Sequence, residues 1–521
     1  MTTASDKIWD VIVIGTGIGG GTIGRALAEA GLSVLFLEKG KKGLRCEQNT
    51  LRHDVWDATA RATRGYWPKP MKAKVNGIET EFFAPLGAGV GGSSVFYAAA
   101  LECPEPHDLD DTAKIKHPTG GWPVSYAEFA PYFRKAQTQY HINGTPDPLS
   151  KQPTTLENPP APTEGETALF AALKSKGLHP YRGHMAIKNV EDCQSCLGFK
   201  CPKACKMDGR SAGVEPALAT GHAELLDECD VTHIHSSSDQ VSHIAAMHKG
   251  TEVSLRARRY ILSAGALRSP HLLLKSRNGH WPDGLGNTNG LVGCNLMFHL
   301  NEMFALRPKG ASVGTSKAIA LRDLYTHNAT RLGMIQALGI EASYGEIVHY
   351  LNMIYDRSFL RRLKGLRHLT RLPAAIATKL FGSASLFVGI FEDLPYPENR
   401  VILDQNPDTI TLEYRFHPEL MARRSLFRKQ IKTRLRGLKP FFLSHQPELN
   451  FGHPSGTLVF GHDPRSSVLN AQCRLHGVKN LYAVDASFMP TSMGVNPSLT
   501  IAANALRVAA HLIDELKVSD D

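Results

Sequence analysis

The chain has 521 residues, 42% of them hydrophobic and 21% charged, with a formal net charge of +10 at pH 7. That length exceeds one simple core and implies two or three domains, and the composition excludes a disordered, fibrous or repeat protein. The positive residues are dispersed and no reader motif or basic arm occurs, so no nucleic-acid partner is expected.

A polar start, MTTASDK, runs almost directly into the strand-like WDVIVIG, so no secretory leader is expected. No clean run of apolar residues reaches membrane-spanning length: residues 372–391 contain Pro373 and Lys379. Nine cysteines, an odd number, suit reduced thiols. Together these predict a cytoplasmic protein. Export with a partner subunit to the periplasm, or peripheral membrane attachment, are the alternatives.

Residues 10–40 read as strand, glycine-rich turn, helix and strand. The apolar run from Val11 to Ile14 suits a strand buried on both faces. Gly15, Gly17 and Gly20 supply a G-x-G-x-x-G turn, which lets the following helix offer free N–H groups to a pyrophosphate. Glu38 ends the next strand 23 residues after Gly15, where a carboxylate can accept hydrogen bonds from ribose. The pattern predicts a dinucleotide site and does not separate FAD from NAD.

Further along, PLGAGVGGSSVFYAAALE (85–102) exposes backbone around Gly89 and Gly92 and adds two hydroxyls, Ser93 and Ser94. DCQSCLGFKCPKACK (192–206) follows, placing Cys193, Cys196, Cys201 and Cys205 within thirteen residues. Metal-free thiols, two disulfides, a zinc site and iron–sulfur ligation are all open at this point. Residues 358–381 carry six Lys or Arg and no acid. Wound as an α-helix, Leu363, Leu366, Leu369 and Leu372 spread over half its circumference, with Lys364, Arg367 and Arg371 opposite. Arg362 falls on the apolar side and Leu360 on the basic side. A helix packed on its own domain is the plain expectation; contact with a membrane surface or a partner subunit is the alternative.

Several stretches in this order resemble the glucose–methanol–choline flavoprotein oxidoreductases: residues 10–40, the GVGGSS loop, SAGALRSP (263–270), FGHPSGT and TSMGVNPSLTI. The resemblance runs from about residue 8 to 515 and is weakest between about 300 and 450, where the substrate is expected to bind. It implies an α/β fold: a doubly wound, Rossmann-like FAD-binding domain from residues 1–110, 190–300 and 450–521. An α+β substrate domain with an antiparallel sheet would come from 111–189 and 301–449. It further implies FAD as cofactor and oxidation of an alcohol or sugar hydroxyl to a carbonyl.

Carried over residue by residue, the catalytic pair is His453 and Asn496. A neutral imidazole suits removal of the hydroxyl proton, and an amide N–H suits the developing alkoxide. His445 and His462 are competitors for the base, and His299 is expected to be structural or flavin-adjacent. Val241 is similar to the residue packing on adenine, Asp485 is expected near the diphosphate, and Asn496 and Thr500 complete the expected cofactor contacts. Tyr97 stands at or near a position where many relatives carry Asn. Cys196, Cys201 and Cys205 resemble the spacing that binds a [3Fe-4S] cluster in bacterial FAD-dependent glucose and fructose dehydrogenases; Cys193 departs from it. Such a cluster would pass electrons to an external acceptor or partner redox subunit. An oxidase returning electrons to O2, and a non-catalytic flavin-bearing subunit, are the alternatives.

Overall fold

The computed structural model describes residues 7–46, 58–193, 195–306, 319–341, 363–381 and 385–518, with isolated positions between 342 and 362. Two sheets organise it. The first uses β1 (Ile8–Ile14), followed by helix α1 (Ile18–Glu29), then β2 (Val34–Leu37), β3 (Ala223–Leu226), β4 (Cys229–Ser236), β5 (Val241–His248) and β6 (Thr251–Leu262). The second centres on β7 (Leu300–Leu306), β8 (Gly333–Glu341) and β9 (Ser385–Phe391). A late strand, β10 (Leu481–Ala483), and helix α2 (Ser498–Val518) return to the first sheet.

In the first sheet the strand order is β3-β2-β1-β6-β5-β4, with β10 also pairing β6. β3, β2, β1, β6 and β10 run parallel; β5 joins β6 and β4 antiparallel. Val11 to Ile14 are almost fully buried, as expected for a central parallel strand covered on both faces. Close approach here depends on glycine. A Cβ on Gly20 would lie 2.0 Å from the Gly15 carbonyl oxygen, and one on Gly24 would lie 2.2 Å from the Phe36 ring.

The second sheet is antiparallel, with β7 pairing β9 and β9 pairing β8. Phe304, Phe387, Phe391 and Phe427 fill the core on one side of it. Two buried arginines fasten this sheet to residues 102–108, which follow the GVGGSS loop. Arg322 bonds Glu102 at 3.2 Å and Glu105 at 3.1 Å, and Arg331 bonds Asp108 at 3.2 Å and Glu392 at 2.7 Å. Such networks are costly to break, because loss of one partner strands a buried charge. A third sheet joins Met71–Val75 and Ile78–Phe82 to Arg400–Leu403 and Ile410–Tyr414, so a hairpin from the first hundred residues is built into a sheet with residues near 410.

Of the basic stretch, residues 363–381 are described; Leu360 and Arg362 lie outside the described residues. The stretch is not one α-helix. Lys364–Thr370 is a 3₁₀-helix and Arg371–Phe381 an α-helix. Among the described residues, no helix is long and apolar enough to cross a membrane.

Candidate functional site

A cavity of about 520 Å³ opens between the carboxyl ends of the first sheet's parallel strands and the face of the second sheet. On one side lie Gly15, Gly17 and Glu38; on the other, Asn301 and Met303 of β7, Gln336 and Leu338 of β8, and Val388 and Ile390 of β9. His453 and Asn496 line the same cavity. It sits where ligands bind in open α/β sheets, outside the carboxyl ends of the strands.

The dinucleotide end is built from β1, its turn and α1. Gly15 holds φ +97°, and a Cβ there would meet the Ser263 carbonyl oxygen at 2.3 Å, so the turn needs glycine. α1 begins after Gly17 with no side-chain cap and no acidic residue in its first turn. Its leading N–H groups and positive dipole end suit a phosphate. Ser263 Oγ is buried against this turn without a hydrogen-bond partner among the described residues. A buried hydroxyl so placed can bond a polar ligand atom. Glu38 accepts from Thr16 Oγ1 at 2.5 Å and from the Gly40 N–H at 3.0 Å, and burial raises its pKa to about 6. These groups fit FAD: the turn and α1 would hold the pyrophosphate and Glu38 the ribose.

Gly92, Ser93 and Ser94 line the cavity; Ser93 Oγ accepts from the Gly87 N–H at 2.9 Å, and Ser94 Oγ donates to the Gly91 carbonyl at 2.6 Å. Tyr97 also lines it, and its hydroxyl donates to the Met207 carbonyl. Other expected contacts fall elsewhere. Gly20 and Gly89 do not line the cavity, and a Cβ on Gly89 would sit 2.9 Å from the Lys41 carbonyl oxygen. Thr500 is buried one residue short of Ile501, which does line the cavity. Asp485 lines it, but its carboxylate is turned to accept from Ser269 Oγ at 2.5 Å and the Gly265 N–H at 2.9 Å, clamping the 263–269 turn. Val241 is not among the residues that line the cavity. It starts β5, with its N–H and carbonyl both on the Asn480 side chain. The valine that lines the cavity is Val231 of β4. Both strands carry a buried Val, and the one on β4 is the one at the cavity.

At the far end the hydrogen bonds set an order of protons. His299 Nε2 lies 3.1 Å from the Ser492 carbonyl and 3.0 Å from the Met493 carbonyl, so it must carry hydrogen. Burial holds the His299 pKa down at about 4, so the ring is neutral and its Nδ1 offers a lone pair. That Nδ1 is 2.9 Å from His453 Nδ1, which must therefore donate. Asn450 Nδ2 lies 3.2 Å from the same His453 atom, a contact that would ask His453 Nδ1 to accept. Accepting would force a second proton onto fully buried His299. The shorter imidazole contact and the two carbonyls decide in favour of His453 as donor. The lone pair of His453 then sits on Nε2.

Asn496 is oriented by a residue that sequence reading missed. Gln336 Nε2 donates to Asn496 Oδ1 at 2.5 Å inside the cavity. With its oxygen engaged, Asn496 has N–H groups left to offer. The available signal was a glutamine in the apolar strand sequence GMIQALGI, since a buried amide demands a partner. His445 and His462 do not line the cavity.

The four cysteines gather into a knot behind the GVGGSS loop. Cys193 Sγ and Cys201 Sγ each lie 3.4 Å from Cys205 Sγ, and burial pushes the Cys205 thiol up to about 12. Sulfurs in van der Waals contact leave no space between them for a cluster of several irons. Among the described residues, no group of three or more His, Cys, Asp or Glu side chains is arranged to hold a metal ion. The arrangement does not fit the expected iron–sulfur cluster at Cys193, Cys196, Cys201 and Cys205. What does join this loop to the cavity wall is Lys206. Its buried ammonium donates to the carbonyls of Val95 and Cys196, both at 2.9 Å, and of Tyr97 and Phe199.

Comparison with known proteins agrees with this architecture. Paromamine 6'-oxidase of Streptomyces fradiae is 27% identical, covering 99% of this chain and 93% of that protein. 2-Methyl-1,2-propanediol dehydrogenase of Mycolicibacterium austroafricanum is also 27% identical, covering 98% and 96%. The crystal structure of pyridoxine 4-oxidase from Mesorbium loti superposes with a TM-score of 0.63 at 19% identity, over 96% of this chain and 99% of that one, a likeness of fold. Residues 10–301 match the N-terminal and residues 428–505 the C-terminal sequence profile of the GMC oxidoreductases. The chain belongs to the GMC oxidoreductase family, FAD enzymes that act on CH–OH donors.

Proposed function

We propose that this enzyme oxidises the hydroxyl of an alcohol or sugar to a carbonyl, with His453 as base and Asn496 as hydrogen-bond donor to the developing alkoxide. The observation that carries this reading is the pair of amide and imidazole locks: His299 on His453 and Gln336 on Asn496, in one cavity. Bound FAD supplies the hydride acceptor.

The residues' own part is proton handling. His453 Nε2 takes the hydroxyl proton, and the resulting imidazolium keeps its Nδ1–H directed at His299 Nδ1. The Ser492 and Met493 carbonyls keep His299 in the tautomer that can receive that bond. Asn496, its oxygen held by Gln336, gives an N–H to the substrate oxygen as charge builds there, without competing for the proton. Leu338, Val388 and Ile390 supply an apolar wall that strengthens these interactions by excluding water.

Electron disposal divides the reading in two. The paromamine relative is named an oxidase and the propanediol relative a dehydrogenase, so both kinds of name occur among similar chains. No transfer step is assigned to the cysteine knot, whose geometry does not fit a cluster. An alcohol and sugar panel, run in parallel with O2 and with a dye acceptor, separates the two. His453→Ala should abolish anaerobic flavin reduction by substrate while FAD stays bound. Wild-type reduction in that variant removes the assignment, and no reduction of the native enzyme by any alcohol leaves the non-catalytic flavin subunit.

A further inference from the structure

The connection between β8 and β9 carries a surface that the proposed chemistry does not use. Residues 363–376 hold five large apolar side chains, Leu363, Leu366, Leu369, Leu372 and Ile376, each between 41% and 71% exposed. Thirteen exposed large hydrophobics occur among the described residues, and no other stretch of this length gathers as many. Scattered exposed leucines need no account, but a continuous row of them does.

The winding makes the row. In a 3₁₀-helix, side chains at i and i+3 eclipse. Lys364–Thr370 takes that form, so Leu366 and Leu369 align on one edge, with exposed Leu363 just before the 3₁₀ run and Leu372 just after it, at the same three-residue spacing. Ile376 extends the edge one turn into the α-helix Arg371–Phe381. The segment is anchored from behind, so the edge is held outward: Ala374 is fully buried, and Thr370 Oγ1 donates to Asn352 Oδ1 at 2.7 Å. Arg367 stands on one flanking row, and His368 and Arg371 on the other. No acidic residue occurs from 358 to 381.

We infer that this leucine edge docks on a bilayer surface carrying anionic lipid headgroups. The apolar edge would enter the headgroup–acyl boundary while the flanking cations meet lipid phosphate, as in interfacial amphipathic segments. Cations on both flanks of the apolar edge, with no acid among them, fit a negatively charged plane, and the enzyme's net charge of +10 favours the same approach. A spanning attachment is not required, and no described helix could provide one.

The test is vesicle co-sedimentation of the intact FAD-loaded enzyme. One set of vesicles is phosphatidylcholine alone; the other contains phosphatidylglycerol as well. Binding to the anionic set should be about tenfold tighter or more, since each cation near the surface strengthens it about fivefold, and it should weaken as salt is raised. Leu369→Glu with Leu372→Glu should lose sedimentation while keeping flavin absorbance. Leu366→Ser should weaken it partially and guards against a folding defect in the double variant. Arg367→Gln with Arg371→Gln should abolish the preference for anionic vesicles. Equal binding to both sets, or none to either, overturns the inference. So does a dimer that the Leu369→Glu variant dissociates, which would assign the edge to a second copy of this chain.

Discussion

Replacing His299 by phenylalanine keeps an aromatic ring in the site and removes the acceptor for the His453 Nδ1–H. A buried donor left without its partner costs about 1–3 kcal/mol, and each 1.4 kcal/mol is tenfold. If that bond selects the tautomer with the lone pair on Nε2, its loss should slow the chemical step by a factor of about 5 to 150. The assay is anaerobic stopped-flow bleaching of the flavin at saturating alcohol, with FAD content checked by absorbance so that cofactor loss is not mistaken for slow chemistry. His299→Asn sharpens the result, because an asparagine Oδ1 stands close to where the imidazole Nδ1 was. It should recover most of the rate, whereas a merely space-filling His299 would make phenylalanine the better substitute. Wild-type reduction by the phenylalanine variant, or an asparagine variant no faster than it, refutes the tautomer reasoning.

Gln336→Leu should lower the same rate by about 5- to 150-fold with FAD retained, and Gln336→Glu should be at least as slow, since a carboxylate would turn the Asn496 amide around. A leucine variant with native kinetics would remove Gln336 from the positioning role. Asp393 is buried, with Tyr414 Oη at 2.8 Å and the Phe298 N–H at 3.0 Å, and desolvation raises its pKa from 3.8 to about 7. Between those values the folded chain holds a proton that the unfolded chain has released, so this group's stabilisation is lost as pH rises from about 4 to 7, by roughly 4 kcal/mol. His299, depressed from 6.5 to about 4, works in the opposite sense over an overlapping window, so the difference between proteins is the readout. Asp393→Asn should gain on the wild type in urea melts across that window, and parallel curves would contradict it. The purified enzyme should show a flavin spectrum without stoichiometric iron or acid-labile sulfide; finding both would restore the cluster.

What could be read from the sequence was whatever depends on local spacing. Gly15, Gly17 and Glu38 announce themselves because a turn, a helix start and a strand end lie within thirty residues, and each has a fixed task there. His453 and Asn496 were legible only through resemblance, since one histidine among 23 has nothing local to mark it. Long-range pairing is not legible in local spacing. Val241 and Val231 lie on antiparallel neighbours, and placing them needs long-range pairing, such as the bonds that tie Val241 to Asn480, 239 residues away. Gln336 and His299 gain their meaning from partners 160 and 154 residues distant. The leucine edge was misread for a different reason. A change from 3.6 to 3.0 residues per turn reorders a helix face, and composition does not announce it. The cysteine spacing matched a ligand pattern, but spacing says nothing of whether sulfurs stand apart or touch.

The return of β10 to the side of β6 has a consequence for how the enzyme is made. While residues before 481 are emerging from a ribosome, the far edge of β6 has no parallel neighbour there, and α1 lacks α2, which packs on it in the finished fold. An exposed strand edge of this kind is a template for pairing with another chain. Until the residues from 481 onward appear, that edge leaves the nascent enzyme open to aggregation. The same residues deliver Asn496, so closing the edge and completing the site are one event. Prematurely terminated chains should accumulate as insoluble protein instead of as partly active enzyme.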